Sequence, residues 1–214
     1  MFRRYCAAPD EMRIGIDFDN TIVSYDELFH KVALERDLVS PGVPANKIAV
    51  RDYLRGAGQE DAWTEMQGYV YGARMNEAQA YPGAFNFLQC AAKAGHSLAI
   101  VSHKTRHPFL GPTYDLHVAA RSWIETHLSI GGLRLVPESQ VFFELTKEEK
   151  LARIATVGCD MFIDDLPEIL SAALFPTATK RFLFDPERHH ENCATSDMNV
   201  VHSWGALKKC LSLE

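Results

Sequence analysis

No apolar run in this chain approaches the length of a membrane span, no block of basic residues stands out, and no two cysteines form a Cys-x-x-Cys pair. Each absence excludes something. A spanning helix needs about 20 apolar residues in a row, so no membrane role is expected. Lysines and arginines number 22 against 28 acids, a formal charge of −6, which argues against a nucleic-acid-binding face. Five scattered cysteines (Cys6, Cys90, Cys159, Cys193, Cys210) are neither a disulfide framework nor a zinc motif and predict a reduced, cytoplasmic protein. The stretch Met1-Phe2-Arg3-Arg4-Tyr5-Cys6 has basic residues with no apolar core behind them, so no secretory leader is expected. Internal repeats and low-complexity segments are also missing. With 214 residues and 47% hydrophobic content, the chain can form one domain with a full core, with or without a small insert.

Residues 12 to 21, Met-Arg-Ile-Gly-Ile-Asp-Phe-Asp-Asn-Thr, are what the rest is arranged around. The apolar part suits a buried strand. Asp17 and Asp19 fall where it stops, and residues i and i+2 of an extended chain share a face. Both carboxylates are therefore expected to point into one site at the carboxyl end of a strand, where open α/β sheets bind ligands. Adjacent carboxylates repel unless a proton or a cation intervenes, and Mg²⁺ prefers oxygen ligands. An ordinary strand-to-loop junction explains two acids equally well, so the decision rests on the remainder of the chain.

Three helices without an obvious strand are expected between residues 22 and 80. The first covers Tyr25 to Leu38 with Ser24 as N-cap, the second Asn46 to Arg55, and the third runs from Glu60 to about Met75. The aromatics of the third, Trp63, Tyr69 and Tyr71, read as core or interface of a helical insert. A helix over 84–94 that stops at Gly95 leads into a buried strand, Ser97 to Ser102, and a helix followed by a strand favours a parallel sheet. His103, Lys104, Arg106 and His107 gather positive charge just past that strand's terminal Ser102, where an anion would lie. A helix over 114–128, the pair Gly131-Gly132 and a strand over 140–143 follow. Thr146 and Glu149 form a capping box for a helix over 147–156. Lys147 in its first turn opposes the helix dipole, a small cost that favours a role for it. Cys159 to Asp165 then repeats the opening theme, an apolar strand that ends in two acids, Asp164 and Asp165. Four carboxylates in two such pairs are excess charge in a fold without a metal. The last strand is expected at 181–184 and a closing helix at 203–212. His189, His190 and Cys193, in an intervening polar loop, match no zinc spacing.

Asp17-x-Asp19-x-Thr21, strand-end Ser102, helix-start Lys147 and Asp164-Asp165 thus stand in a fixed order. That order resembles the haloacid dehalogenase (HAD) superfamily of phosphohydrolases, over roughly residues 12–21 and 81–185. The resemblance implies an α/β fold: a Rossmann-like parallel-sheet core (1–21 and 81–214) with a small all-helical cap (22–80). It also implies roles. Asp17 would be the nucleophile that forms an aspartyl-phosphate. Asp19 would be general acid, then base. Thr21 and Ser102 would hold phosphoryl oxygens, and Lys147 would neutralise the charge on Asp17 and the phosphoryl group. Mg²⁺ would bridge Asp17, the Asp19 carbonyl and one or both of Asp164 and Asp165. His103, Lys104, Arg106 and His107 are expected to meet a second polar or anionic part of the substrate.

Several alternatives stay open on the sequence. Lys150 is one turn beyond Lys147 and is a possible substitute. Glu168 fits the metal shell or a plain helix start. The expected activity is Mg²⁺-dependent hydrolysis of a small phosphorylated metabolite. A phosphomutase or phosphotransferase would use the same site, and a non-catalytic phospho-ligand sensor would have no need of a nucleophile. Dehalogenase and phosphonatase chemistry do not need an acid at Asp19. Monomer and homodimer are equally compatible with the sequence.

Overall fold

The computed structural model of the chain describes residues 11–190 and 197–213. Its elements run β1 (Arg13–Ile16), β2 (Val23–Ser24), α1 (Asp26–Glu35), α2 (Lys47–Gly56), α3 (Glu60–Tyr71), β3 (Gln79–Ala80), α4 (Ala84–Lys93), β4 (Ser97–His103), α5 (Leu116–His127), β5 (Ser129–Ile130), β6 (Leu133–Arg134), β7 (Val141–Glu144), α6 (Lys147–Val157), β8 (Met161–Asp164), α7 (Pro167–Leu170), β9 (Lys180–Phe184), β10 (Met198–Val201) and α8 (Trp204–Cys210). A 3-10 turn, Met75–Glu77, precedes β3, and a second, Glu138–Gln140, precedes β7.

Six strands form one parallel sheet in the order β10-β9-β8-β1-β4-β7. The chain runs outward from β1 through β4 to β7, then returns to the other side of β1 for β8. This reversal puts the carboxyl ends of β4, β1 and β8 side by side at the switch point, the place where such sheets bind ligands. Alternate residues divide between the faces, as the pleat requires. Ile14, Ile16, Ile100, Met161 and Ile163 join a core with α4, α5 and α8. Ala99, Val101, Phe162 and Leu183 join a second with α6 and α7. The result is an α/β/α sandwich. Among the described residues no helix is long and apolar enough to cross a membrane.

Residues 25–78 leave and rejoin the sandwich through a two-stranded antiparallel neck, in which Val23 pairs with Ala80 and Ser24 with Gln79. Sequence periodicity shows no strand here because two residues carry no period. Ser24 belongs to the neck, not to a cap: Tyr25 takes the N-cap position of α1 with no side-chain cap bond. The other expected caps form. Asn46 accepts from Ala49, and Thr146 and Glu149 close a capping box. Two core tryptophans, both fully buried, donate their indole N–H groups to the segments flanking the neck, Trp123 to the Ala78 carbonyl at 2.9 Å and Trp204 to that of Thr21 at 3.2 Å. The loop after β4 packs onto α3, where the absence of side chains at Gly68 and Gly72 admits Pro108 and Tyr114: a Cβ on either glycine would lie 2.5 Å from its neighbour.

The polar stretch expected over 185–199 contains the start of a further strand, β10, parallel to β9. Met-Asn-Val-Val is too short to stand out from the polar loop before it, as edge strands often are. The carboxylate of Asp185 accepts the backbone N–H groups of His189 and His190 at 2.8 and 2.9 Å. Cys193, like Cys6 and the remainder of the N-terminal hexapeptide, lies outside the described residues. Gly131 and Gly132, both at positive φ (56° and 82°), make the two-residue turn of the β5–β6 hairpin, where only such residues follow the strand twist.

Close packing of β1 on β8 yields a direct test. A Cβ on Gly15 would lie 2.5 Å from both Cys159 Sγ and Phe162 Cδ2, whereas one on Gly56 meets nothing within 4 Å. Gly15→Ala is expected to cost about 1–3 kcal/mol through overpacking, several degrees in Tm for a chain of this size. Gly56→Ala, at the end of a helix, is expected to be neutral or mildly stabilising. Thermal melts of the two variants check both.

Candidate active site

Because β1 and β8 are parallel neighbours, the acids that follow them converge. Asp17 extends the ladder past β1, its N–H bonded to the Ile163 carbonyl at 2.8 Å. Asp164 is the last residue of β8. Lys150 of α6 reaches between them, with Nζ 2.6 Å from Asp17 Oδ1 and 2.6 Å from Asp164 Oδ2. All three side chains are buried, none more than 6% exposed. Lys147, the helix-start lysine, stands elsewhere: its ammonium pairs with Glu168 at 2.6 Å and both side chains are about half exposed. The lysine at the two aspartates is therefore Lys150. Lys150, Ile154 and Val157 are buried together on the inner face of α6, so its direction follows from the i, i+4, i+7 spacing.

One ammonium faces three acids here. The carboxylate oxygens of Asp17, Asp164 and Asp165 offer a donor group whose atoms all lie within 4.8 Å of one another. Burial, the largest cause, together with Asp164 and Asp19 pushes the Asp17 carboxyl up to about 7 against the opposing pull of Lys150. Burial and the charges of Asp164 and Asp17 hold Asp165 well above its ordinary value. Burial would lower the Lys150 ammonium, but Asp164 and Asp17 outweigh it and raise it. Three crowded oxygen donors with too little positive charge fit a hard divalent cation such as Mg²⁺. Asp164 has both oxygens engaged, by Lys150 and by the Leu166 N–H at 3.0 Å. Asp165 receives the Thr21 hydroxyl on one of its oxygens, at 3.3 Å, and is the less committed of the pair.

Asp19 is turned out of that cluster. Both its oxygens meet Lys104 Nζ, at 2.9 and 2.8 Å, and one also accepts the Tyr25 hydroxyl. Burial and Asp19 raise the Tyr25 phenol well above its ordinary value, so it stays a donor. Asn20 at φ 58° makes the turn after Asp19, a left-handed conformation that Asn tolerates better than most residues. Lys104 is itself fixed at both ends of its backbone. Its N–H donates to the Glu144 carbonyl at 2.8 Å, and its carbonyl faces His117 Nε2 at 2.8 Å. Of the four cations expected to gather here, Lys104 alone contacts these acids. His103 lies against the Leu145 carbonyl, Arg106 pairs with Asp115 on the surface, and His107 lies against the Tyr114 carbonyl. Extended backbone explains the difference, since it turns alternate residues to opposite sides and the loop then leaves the strand. Ser102 is buried two residues beyond Ile100, the partner of Ile16, which puts it beside the end of β1. Thr21 is also buried.

Three residues the sequence reading did not single out border this site. Tyr25 is one and His117 the second. The third is Lys47 of α2, whose ammonium lies 5.6 Å from the centre of the Tyr71 ring. Trp63, as expected, is core, packed on Phe29. Tyr71 is only half-buried, and Lys104 Nζ stands 4.9 Å from its ring centre. A groove of about 920 Å³ opens beside the neck, lined among others by Asn46, Ile48 and Tyr81. None of Asp17, Asp19, Lys104 and Lys150 lines it.

No protein-family model matches the sequence, and no curated protein matches it. Solved structures do. A HAD family hydrolase from Deinococcus radiodurans R1 with bound phosphate and sodium is 17% identical, with a TM-score of 0.56 over 96% of each chain. A predicted phosphoglycolate phosphatase from Haemophilus somnus 129pt is 15% identical, with a TM-score of 0.56 over 95% of this chain and 99% of that one. A β-phosphoglucomutase from Pyrococcus sp. strain ST 04 is 14% identical, with a TM-score of 0.52 over 94% and 97%. Structures described as dehalogenases are similar too. The chain has the fold of the HAD superfamily.

The two lysines of α6 separate cleanly by substitution. Lys150→Met strands two buried acids, Asp17 and Asp164, and is expected to cost about 3–5 kcal/mol; Lys147→Met breaks an exposed pair and is expected to stay within about 1 kcal/mol of the native protein. Thermal melts measure both. A second expectation follows from the raised acids. Between its ordinary value of 3.8 and about 7, Asp17 holds a proton in the folded chain that the unfolded chain has released. Its contribution to stability is thus complete below about pH 4 and lost as pH rises through 7. A divalent cation competes for the same oxygens. Mg²⁺ is therefore expected to raise Tm by more at pH 8 than at pH 5, and by little at either pH in Asp165→Asn.

Proposed function

We propose that this protein is a Mg²⁺-dependent phosphohydrolase of small phosphorylated metabolites, with residues 22–80 acting as a cap over the site. The observation that carries the reading is the pairing of a buried Asp17, in contact with Lys150, with a separately held Asp19 two residues on. The two carboxylates are held apart from one another, Asp17 beside Lys150 and Asp19 between Lys104 and Tyr25, so each is free to take a separate role. In this reading an Asp17 oxygen attacks phosphorus, and the ester P–O bond breaks as Asp19 delivers a proton to the leaving oxygen. Water then attacks the aspartyl-phosphate and gives its proton to Asp19. Inorganic phosphate departs and Asp17 is restored.

Lys150 keeps Asp17 oriented and offsets charge on the phosphoryl oxygens, with the Ser102 and Thr21 hydroxyls beside it. The divalent cation, held by Asp17, Asp164 and Asp165, would supply charge neutralisation for an anionic substrate entering an acidic pocket. Lys104 and Tyr25 fix the direction of Asp19, one from the core and one from the cap. Placement of Asp19 in this way supports phosphoryl transfer over dehalogenation, which needs no proton donor there. The bound phosphate of the Deinococcus structure is consistent with the same substrate group.

Phosphate release from a panel of alkyl and aryl phosphate esters with Mg²⁺ tests the reading. Asp17→Asn is expected to lose at least about a thousandfold in kcat. Asp19→Asn is expected to lose about 10²- to 10⁴-fold on alkyl esters, and less on aryl esters, whose leaving groups need no proton. A native protein inert across the panel, or a fully active Asp17→Asn, would overturn the proposal. Transfer of the phosphoryl group to a second metabolite in place of water would identify a phosphotransferase with the same site.

A further inference from the structure

A lysine at the first position of a helix opposes the helix dipole, and α2 begins with one, Lys47, with no acid in its first turn to compensate. The backbone there is tightly held. Asn46 caps the helix, and the Lys47 N–H donates to Asp26 of α1 at 2.8 Å, so the side chain has a fixed origin. It runs inward instead of to solvent. Its ammonium lies 5.7 Å from the ring centre of fully buried Phe29 and 5.6 Å from that of Tyr71, within the range of cation–π attraction. Burial alone would depress the ammonium, but Tyr71, Asp19 and Asp165 outweigh burial and raise it. Lys47 is therefore a fixed positive charge.

Tyr71 ties this charge to the reacting groups. Its ring meets Tyr25 edge-on at 4.8 Å, and Tyr25 donates to Asp19. Lys104, which clasps Asp19, stands over the same Tyr71 ring. Two ammonium groups thus share one aromatic ring, with different partners. Lys104 has a carboxylate at 2.8 Å. Among the described residues Lys47 has none within 4.0 Å. With no carboxylate in contact, the ammonium of Lys47 keeps donors free for the oxygens of a ligand. The groove beside the neck has Asn46 and Ile48, the two neighbours of Lys47, in its wall.

We propose that Lys47 is a specificity-determining residue that binds a second anionic group, carried on the alcohol half of a phosphomonoester substrate. The inference rests on the phosphohydrolase reading, in which Asp19 protonates the leaving oxygen. The groups around Asp19 on the cap side then face the body of the leaving alcohol, and the uncompensated one is Lys47. An ammonium is a point charge with three donors and lacks the planar fork that arginine offers, so a carboxylate and a second phosphate both suit it. A neutral alcohol leaves it unmatched.

The test compares matched short-chain alkyl phosphates that end in a methyl, a carboxylate or a second phosphate, with Mg²⁺, in the native protein, Lys47→Gln and Lys47→Arg. The native protein is expected to prefer an anionic ester, and the better of the two identifies the anion. Lys47→Gln is expected to cut the anionic-to-neutral ratio of kcat/KM by at least about 30-fold, the effect of removing one partner of a buried charge pair, through KM more than kcat. Lys47→Arg should recover most of it. Equal losses by Lys47→Gln on neutral and anionic esters would mark a structural role and overturn the inference, as would a native protein without preference. If the native protein hydrolyses no ester, aryl phosphates included, the phosphohydrolase reading fails first and takes the inference with it.

Discussion

The ammonium of Lys150 between Asp17 and Asp164 is the contact on which the rest of the structure depends. Buried ion pairs are poor sources of stability, because the desolvation of each charge rivals the attraction gained. A core that only had to fold would fill this position with an apolar side chain. Here three elements from distant parts of the sequence, β1, α6 and β8, converge so that one lysine can serve two acids. Asp165 adds a third carboxylate to the same cluster. The site is thus left acidic, and an anionic phosphate ester meets repulsion there until a further cation arrives. Burial and this excess of negative charge together raise Asp17 and Asp165, and the crowding of the acids makes a divalent ion a fitting occupant.

The second constraint is the seating of the helical insert. Trp123 and Trp204, both in core helices, give their indole N–H groups to carbonyls on either side of the neck. Pro108 and Tyr114 sit against Gly68 and Gly72 of α3. These contacts put Tyr25 within reach of Asp19, which it shares with Lys104 from the sheet. The direction of Asp19 is accordingly set by both parts of the chain at once. Any displacement of the insert that carries Tyr25 away removes a donor from Asp19 and loosens the stack that Tyr71 forms with Tyr25 and Lys104. The seating of the insert and the orientation of Asp19 are therefore coupled.

The sheet strands, the long helices and the acid pairs were legible in the sequence because each has a strong local signature: apolar runs, 3.6-residue spacing, the Thr146–Glu149 capping box. Some of the shortest elements were not. The neck strands have no period to read, and β10 is a short strand inside a polar stretch. Among site residues, Asp17, Asp19, Asp164 and Asp165 were evident from their places at strand ends. Lysines were harder. The dipole argument singled out Lys147, yet a half-exposed lysine tolerates that cost by pairing with Glu168. The same argument applies to Lys47, which was passed over because nothing nearby in sequence is acidic or motif-like. What separates Lys47, Lys104, Lys147 and Lys150 is which neighbour each ammonium meets, and those neighbours come from residues 14 to 133 positions away for Lys150 and Lys104. Tyr25 was hidden in another way, since an aromatic at a helix start reads as packing until its hydroxyl is seen on Asp19.

The partners of the cations suggest how labour is divided. In the sheet-based half, Lys150 is held by Asp17 and Asp164, and Lys104 by Asp19. Both are tied to carboxylates that take part in the proposed chemistry, so neither is at liberty to select among substrates without disturbing that chemistry. Lys47 comes from the insert and acts on Asp19 and Asp165 through aromatic neighbours and long-range attraction only. A charge so placed can be changed with little effect on the direction of Asp19 or the contact between Lys150 and Asp17. In the proposed chemistry, discrimination between leaving groups is therefore physically separable from phosphoryl transfer, and a charge carried by the insert is the group placed to provide it.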